Sequence, residues 1–98
     1  MLVRIHNTYR DIVAICDSEL LGKVFVEGKF QLDIKESFFK GEEKTKQEVF
    51  DIMQDMAKED ATFNIVGREA TELALEAGII CREGIKEIQG IPFALVLL

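Results

Sequence analysis

Residues 16–42, CDSELLGKVFVEGKFQLDIKESFFKGE, constrain the fold more than any other part of the chain. Asp17 can cap a short helical turn, because a carboxylate accepts hydrogen bonds from the free amides of a first turn. Gly22 can end that turn in the left-handed conformation. Gly28 permits a tight bend, after which the alternation of residues 30–34 predicts a strand. This density of turn and cap signals predicts a compact domain, but it specifies no reaction.

Short apolar runs on either side predict further strands. Residues 2–6 and 12–16 are separated by turn-forming residues and predict a β-hairpin. Residues 85–88 and 93–98 predict closing strands. Residues 64–66 fit either a short strand or the turn that leads into the next helix, because periodicity does not distinguish the two.

The terminal run PFALVLL is continuously apolar rather than alternating. This is typical of a strand covered on both faces, in a mixed sheet with helices packed on it. The run is equally compatible with an edge strand that pairs with a second copy of the chain. A homodimer through the C-terminal strand is therefore an open possibility.

Two helices are predicted. Thr45 and Glu48 form a capping box at the start of the longer one. The residues that follow at helical spacing form its buried face: Val49, Ile52, Met53, Met56 and Ala57. A second helix is predicted from about Gly67 to residue 77, and Gly78 supplies its C-terminal stop. The sequence thus predicts one α+β domain over residues 1–98, with a mixed, mostly antiparallel sheet, two main helices and a short helical turn.

Composition excludes several classes of protein. Hydrophobic residues make up 48% of the 98 positions and only one proline occurs, which is incompatible with a disordered chain. No apolar run approaches the roughly 18 residues that span a bilayer. The N-terminal residues, MLVRIHNTYR, lack the apolar region and cleavage site of a signal peptide. We therefore expect a cytoplasmic protein with no membrane partner.

The net negative charge of the chain comes entirely from its second half. Residues 1–46 carry eight basic and eight acidic residues, whereas residues 47–98 carry four basic and ten acidic ones. An acidic surface repels phosphate backbones, so broad nucleic-acid binding is disfavoured. RNA binding through a local patch on the neutral half stays open.

Few residues are suited to catalysis or cofactor binding. Cys16 and Cys81 are far apart and outside any CxxC motif, so we expect two buried, reduced thiols, with a disulfide or a nucleophilic Cys16 as alternatives. His6 is the only histidine, and its place in an alternating strand is typical of a hydrogen-bonded strand residue. No glycine-rich phosphate-binding motif occurs. The acidic stripes on both helices are typical of solvated faces rather than of metal sites. From these observations together we expect no catalytic centre, no metal and no cofactor.

Several segments together resemble a known family. These are CDSELLGKVFVEGKFQLDI, ESFFKGE, NIVG before EATELALEAGII, and the closing IQGIPFALV. Over nearly its whole length the chain resembles an uncharacterised archaeal family, domain of unknown function 424. The resemblance implies an archaeal, cytosolic, small α+β protein and brings no established activity. The chain departs from the family pattern at Phe93 and Ala94, where a histidine often follows the proline.

The segment ESFFKGEEKTK is the best candidate for a partner-binding surface. Phe38 and Phe39 are adjacent, so in extended backbone one enters the core and the other stays partly exposed beside Lys40. An exposed aromatic near Lys40 and Lys44 can anchor a protein or stack on a base. The alternative is a loop in which both phenylalanines pack in the core.

A second candidate is a ligand pocket near Cys16, Asp17 and Asn64, which requires these groups to converge. The start of the second helix adds a possible anion site, because free amides at Gly67 and the Arg68 guanidinium attract negative charge. Glu69 and Glu72 already place negative charge near that turn.

The preferred functional hypothesis is a non-enzymatic interaction module that docks on a larger assembly through an unidentified protein partner. The alternatives are a small-molecule-binding protein or small enzyme with the pocket near Cys16, Asp17 and Asn64, and an RNA- or ribosome-associated factor.

Overall fold

The computed structural model describes residues 1–97. Leu98, the last residue of the predicted closing strand, lies outside the described residues. The elements in chain order are β1 (Leu2–His6), β2 (Ile12–Cys16), β3 (Val24–Glu27), β4 (Phe30–Asp33), α1 (Glu36–Phe39), β5 (Glu42–Glu43), α2 (Lys46–Lys58), β6 (Thr62–Val66), α3 (Arg68–Glu76), β7 (Lys86–Ile88) and β8 (Ile91–Val96), with 3-10 turns at Ser18–Leu20 and Arg82–Gly84. None of the helices within residues 1–97 is long and apolar enough to cross a membrane.

Six strands form one mixed sheet in the order β5-β1-β2-β6-β8-β7, and β3 and β4 form a separate hairpin. The predicted β1–β2 hairpin is confirmed. The segment at residues 64–66 is the end of a strand, β6, which runs parallel to β2 at the centre of the sheet. The other pairs are antiparallel, so the predicted α+β fold with a mixed, mostly antiparallel sheet is confirmed.

One face of the sheet carries the main core beneath α2 and α3. Side chains of β2 and β6 alternate, and every second one points to these helices: Val13, Ile15, Phe63 and Ile65. Val49 and Met53 of α2 pack against them as predicted. The predicted capping box is confirmed, since the Glu48 amide donates to Thr45 Oγ1 at 3.2 Å and the Thr45 amide donates to Glu48 Oε1 at 2.9 Å.

The opposite face of the sheet is covered by small pieces rather than by a layer of helices. A second core forms there from Ala14, Cys16, Leu20, Ile34, Phe39 and Val66. The β3–β4 hairpin contributes Phe25 and Leu32 to it. Strand β3 was missing from the sequence prediction, because Val24 and Val26 are apolar yet point outwards and obscure the alternation.

Asp17 connects the end of β2 to the start of α3. Its carboxylate is buried and accepts hydrogen bonds from the amides of Glu69 at 3.0 Å and Ala70 at 2.9 Å. The prediction that Asp17 caps its own following turn is wrong, because its side chain makes no hydrogen bond there. It caps a helix that is 52 residues further along the chain. The carboxylate can reach this helix because β2 and β6 are parallel and end side by side.

Gly67 makes room for this contact. Its φ is 111°, and a Cβ atom added there would lie 2.3 Å from Asp17 Cγ. Replacing Gly67 therefore adds both backbone strain and a clash with a buried carboxylate.

We predict that Gly67→Ala lowers the free energy of unfolding by more than about 2 kcal/mol, because it combines these two costs. Gly78→Ala is the matched control: Gly78 has φ 75° but an added Cβ meets nothing within 4 Å, so only the backbone cost of about 1 kcal/mol applies. Urea denaturation of both variants measures the difference. Equal losses for the two variants would contradict the importance of the Asp17 contact.

Candidate functional site

An open groove with a volume of about 360 Å³ lies on the second face of the sheet, between α1 and β8. We call it the α1–β8 groove. Its apolar lining includes Leu32, Phe38, Phe93 and Leu95, and its polar lining consists of Asp33, Lys35 and Asn64. The groove exists because α1 is a single turn, about 6 Å long, and cannot cover the strands beneath it.

Asn64 is the polar residue on the central strand β6 in this groove. Phe63 and Ile65 on either side of it point into the main core, so alternation directs Asn64 to the second face. Its cross-strand neighbour is Leu95, whose side chain is 55% exposed. No residue among those described forms a hydrogen bond with the Asn64 side chain. A primary amide thus stands half-buried and unpartnered on an otherwise apolar surface.

The two phenylalanines of the predicted partner-binding segment have different environments. The prediction of extended backbone is wrong, because both belong to the helical turn α1. Phe39 is buried, whereas Phe38 is half-buried and stacks on the His6 ring with centroids 4.6 Å apart. Successive residues of a helix are rotated by about 100°, so the two rings point to different surroundings. Of the pair, Phe38 is the one accessible to a partner.

His6 holds Phe38 in position. Its Nε2 lies 2.9 Å from the Phe38 carbonyl oxygen, so Nε2 carries the proton and donates it. His6 is half-buried, as expected for a hydrogen-bonded strand residue. The imidazole therefore fixes the wall of the α1–β8 groove.

The two predicted lysines lie apart from the lining of the α1–β8 groove. Lys40 is exposed at the end of α1, and its carbonyl accepts a 3.4 Å hydrogen bond from Arg4 Nη1. Lys44 Nζ forms an ion pair at 2.9 Å with Glu42. This hydrogen-bonded carboxylate raises the pKa of Lys44. Lys40 thus stays free for a partner, whereas Lys44 is already engaged.

The structure does not bring Cys16, Asp17 and Asn64 to one opening. Cys16 is completely buried in the second core. Burial, followed by the nearby charge of Asp17, raises its thiol pKa to about 11. The Asp17 carboxylate is turned to α3, and only Asn64 lines a groove. A ligand in the α1–β8 groove therefore has no access to a nucleophilic thiol.

The predicted anion site at Gly67 and Arg68 is filled by the protein itself. The carboxylate of Asp17 occupies the amides at the start of α3. Burial raises the pKa of Asp17, while the two amide hydrogen bonds oppose the rise. Glu19 and Glu69 lie nearby, so that one oxygen from each of the three carboxylates falls within 4.8 Å of the others. Asp17 belongs to this cluster because it caps α3, and Glu19 and Glu69 are exposed.

The two cysteines also differ from each other. Both are free, and the prediction that Cys81 is buried is wrong. Cys81 is exposed because it precedes the 3-10 turn at Arg82–Gly84, in the connection between α3 and β7.

The hairpin wall of the α1–β8 groove is held by Gln89. The Gln89 side-chain amide donates to the Val26 carbonyl at 2.6 Å, and its backbone amide donates to Glu27 Oε1 at 2.8 Å. Gln89 adopts a left-handed φ of 51° in the turn between β7 and β8. The tight β7–β8 turn thus anchors the hairpin that contributes Leu32 and Asp33 to the groove.

Sequence reasoning named Phe38, Phe39 and Asn64 but missed Leu95, Phe93, Asp33 and Lys35. One signal was present: a polar Asn64 between Phe63 and Ile65 marks a strand whose second face is not fully covered. Pairing partners such as Leu95 follow only from the strand order.

Two comparisons with known proteins give matches. The model of the family described as "Protein of unknown function (DUF424)" matches residues 5–98. The crystal structure of an uncharacterized conserved protein from Methanopyrus kandleri is similar, with a TM-score of 0.85 and 25% sequence identity, over 98% of this chain and 90% of that chain. No curated protein matches the chain.

We predict that only one thiol of the native protein reacts with a disulfide reagent at neutral pH, and that two react in denaturant. Cys81 is exposed, whereas Cys16 is sealed in the core. The pKa of the Cys16 thiol is 9.0 in the unfolded chain and about 11 in the folded protein. As the pH rises, the unfolded state therefore loses this proton first. The contribution of Cys16 to stability is therefore lost as the pH rises from 9 to 11. Rapid labelling of native Cys81→Ser would contradict the burial of Cys16.

We also predict that Asp17→Asn lowers the free energy of unfolding at neutral pH by about 2 kcal/mol, because its amide nitrogen cannot accept a hydrogen bond from the second backbone amide. Glu19→Gln removes a neighbouring exposed carboxylate and should change stability by less than about 0.5 kcal/mol. Thermal and urea unfolding measure both variants. If the two substitutions had equal effects, Asp17 would contribute charge alone rather than a cap.

Proposed function

The chain belongs to the DUF424 family of proteins of unknown function, and from that premise we propose that it is a non-enzymatic interaction module. It docks on a larger assembly by taking an apolar segment of a protein partner into the α1–β8 groove. The observation that carries the proposal is the groove itself, with an unpartnered Asn64 amide between the apolar surfaces of Phe38 and Leu95.

The apolar walls supply the driving force for association. Phe38 and Phe93 are half-buried and Leu95 is 55% exposed, so each has apolar surface still in contact with water. Removing such surface from water contributes roughly 25 cal/mol per Å². Anchors of this kind, an aromatic and aliphatic pocket filled by one side chain, dominate the energetics of many interfaces.

Asn64 defines the polar part of the partner. Its amide offers two donors and one acceptor. Covering it with a purely apolar group would leave these groups unsatisfied, at a cost of about 1–3 kcal/mol. A polypeptide carries donors and acceptors among its polar side chains, so the preferred occupant is a polypeptide segment that offers one such side chain to Asn64, rather than a hydrocarbon ligand.

The charges around the α1–β8 groove favour an acidic residue beside the apolar anchor. Lys35 lines the groove and Lys40 lies at the far end of α1, and neither forms an ion pair within the part of the chain that the structure describes. Residues 22–41 carry four lysines and three acidic residues, whereas residues 45–76 carry three basic and eight acidic ones. The groove lining itself holds one acidic and one basic residue, Asp33 and Lys35, so this side of the molecule is less negative than the helical side and accommodates an acidic flank beside Lys35 and Lys40.

The placements of His6 and Cys16 favour binding over catalysis. The Nε2 proton of His6 is engaged with the Phe38 carbonyl, and the Cys16 thiol is sealed in the core with a pKa of about 11. Both groups serve the packing of the second face. The small-enzyme alternative would need one of them to reach a substrate.

We predict that Leu95→Glu weakens peptide binding at least about tenfold, because a charge replaces an apolar wall of the α1–β8 groove. A displayed library of random peptides is selected on the wild-type protein, and the enriched peptides are measured by fluorescence anisotropy. Phe30→Glu is the matched control, since Phe30 is 71% exposed at the tip of the hairpin and does not line the groove. It should bind like wild type.

Three outcomes would overturn this proposal. They are a selection with no enriched sequence, enriched peptides that bind Leu95→Glu as tightly as wild type, and binding of single-stranded RNA in place of peptides.

A further inference from the structure

Among residues 1–97, no strand lies beside the outer edge of β8 beyond Phe93. Strand β7 pairs with β8 through Ile91, Pro92 and Phe93 and no further. On its other side, β8 pairs with β6 as far as Val96. Within residues 1–97, the outer edge of β8 from position 94 onwards is therefore free of strand pairing.

Alternation along β8 fixes which backbone groups face the free edge. The Pro92 carbonyl accepts from the Gly67 amide, so residues 92, 94 and 96 direct their backbone groups towards β6. Phe93 directs its groups towards β7, opposite Lys86. Leu95 has the same orientation as Phe93, and its N–H and C=O consequently point outwards from the sheet with no strand to bind.

A second groove follows this edge. The chain before β7 bends away in the 3-10 turn Arg82–Gly84, and this leaves an open space of about 450 Å³ beside β8. We call it the edge groove; its lining includes Ile79, Ile80 and Cys81. Leu95 lines both this groove and the α1–β8 groove. The free edge of β8 thus has a groove on each side of it.

This arrangement matches the geometry of an added strand. Successive side chains of a β-strand point to opposite faces. A segment laid along the outer edge of β8 would place one set of side chains towards the α1–β8 groove and the alternate set towards the edge groove. We propose that the partner segment binds as an additional β-strand on the outer edge of β8, with the Leu95 N–H and C=O bonded to its backbone.

This inference rests on the proposed function, and it names the conformation of the partner and the groups that recognise it. The occupant is a short extended segment of another protein, with apolar residues at alternate positions and an acidic residue that reaches Lys35 in the α1–β8 groove. A second copy is the less favourable occupant. Each copy carries a net charge of −6, so two copies repel each other as whole molecules, although the β8 edge itself is uncharged.

The first test scans the backbone of a peptide enriched on the wild-type protein. Each residue in turn is N-methylated, which removes one amide donor and leaves every side chain in place. We predict an affinity loss of about tenfold or more only at the one or two positions whose amides lie opposite Leu95, and small losses at the other positions, because Leu95 alone offers outward backbone groups on β8. Uniform tolerance of N-methylation, with sensitivity to Leu95→Glu retained, overturns strand addition and leaves the proposed function standing. A selection with no enriched peptide overturns both.

The second test changes the protein. Leu95→Pro and Leu95→Ala both remove the leucine side chain, but only proline removes the outward N–H. Because that N–H makes no bond to β6, proline is tolerated at this edge position. We predict a markedly larger loss of peptide affinity for Leu95→Pro than for Leu95→Ala. Equal losses for the two variants overturn the role of the backbone.

If Leu95→Pro does not fold, hydrogen exchange of the wild-type Leu95 amide decides instead. The exchange should slow when the peptide binds, and an unchanged rate overturns the proposal. Sedimentation equilibrium tests whether the occupant is a second copy of this chain. Suppose that the wild-type protein is a dimer, that Leu95→Ala preserves this dimer, and that disruption of the Leu95 backbone amide dissociates it. This result overturns the peptide proposal in favour of a second copy.

Discussion

The pair of hydrogen bonds from the start of α3 to the Asp17 carboxylate holds the two halves of this fold together. Asp17 follows β2 directly, and α3 follows β6 through Gly67. Because β2 and β6 are parallel, their ends meet, and one buried side chain can cap the helix that starts beside it. The cap fixes α3 against the sheet and explains why position 67 has no room for a side chain.

The same parallel pair accounts for the open groove. A parallel connection must cross from one end of the sheet to the other. Here the crossover carries the hairpin, the single turn α1 and the long helix α2. Helix α2 joins α3 on one face and completes the main core there, which leaves the 3-10 turn at Ser18–Leu20, the hairpin and α1 for the second face. These small pieces cannot cover six strands, so Asn64 and Leu95 remain accessible.

Local signals in the sequence predicted the elements that local interactions determine. The capping box at Thr45 and Glu48 and the β1–β2 hairpin are examples, since both involve residues a few positions apart. Contacts between distant segments were not predictable in the same way. Nothing near Asp17 indicates that its partners lie more than fifty positions later, and nothing near Phe38 indicates that its ring stacks on His6, 32 positions earlier. The sequence therefore predicted Phe38 and Asn64 as residues of the candidate site. The contribution of β8 to the groove follows only from the order of strands in the sheet.

The position of β6 between β2 and β8 also bears on the order in which the sheet assembles. Ile12 pairs with Thr62, so the central pair of strands forms only after the whole crossover has been brought into a closed loop, whereas β7 and β8 meet through a two-residue turn. Contacts between distant positions slow folding, because the loop must close before its contacts contribute. During synthesis the β1–β2 hairpin emerges before β6, so β2 lacks its second neighbour until β6 arrives. The apolar residues of β1 and β2 that face the main core thus wait for β6 and α2 in the growing chain, and assembly of the sheet is completed from its C-terminal half.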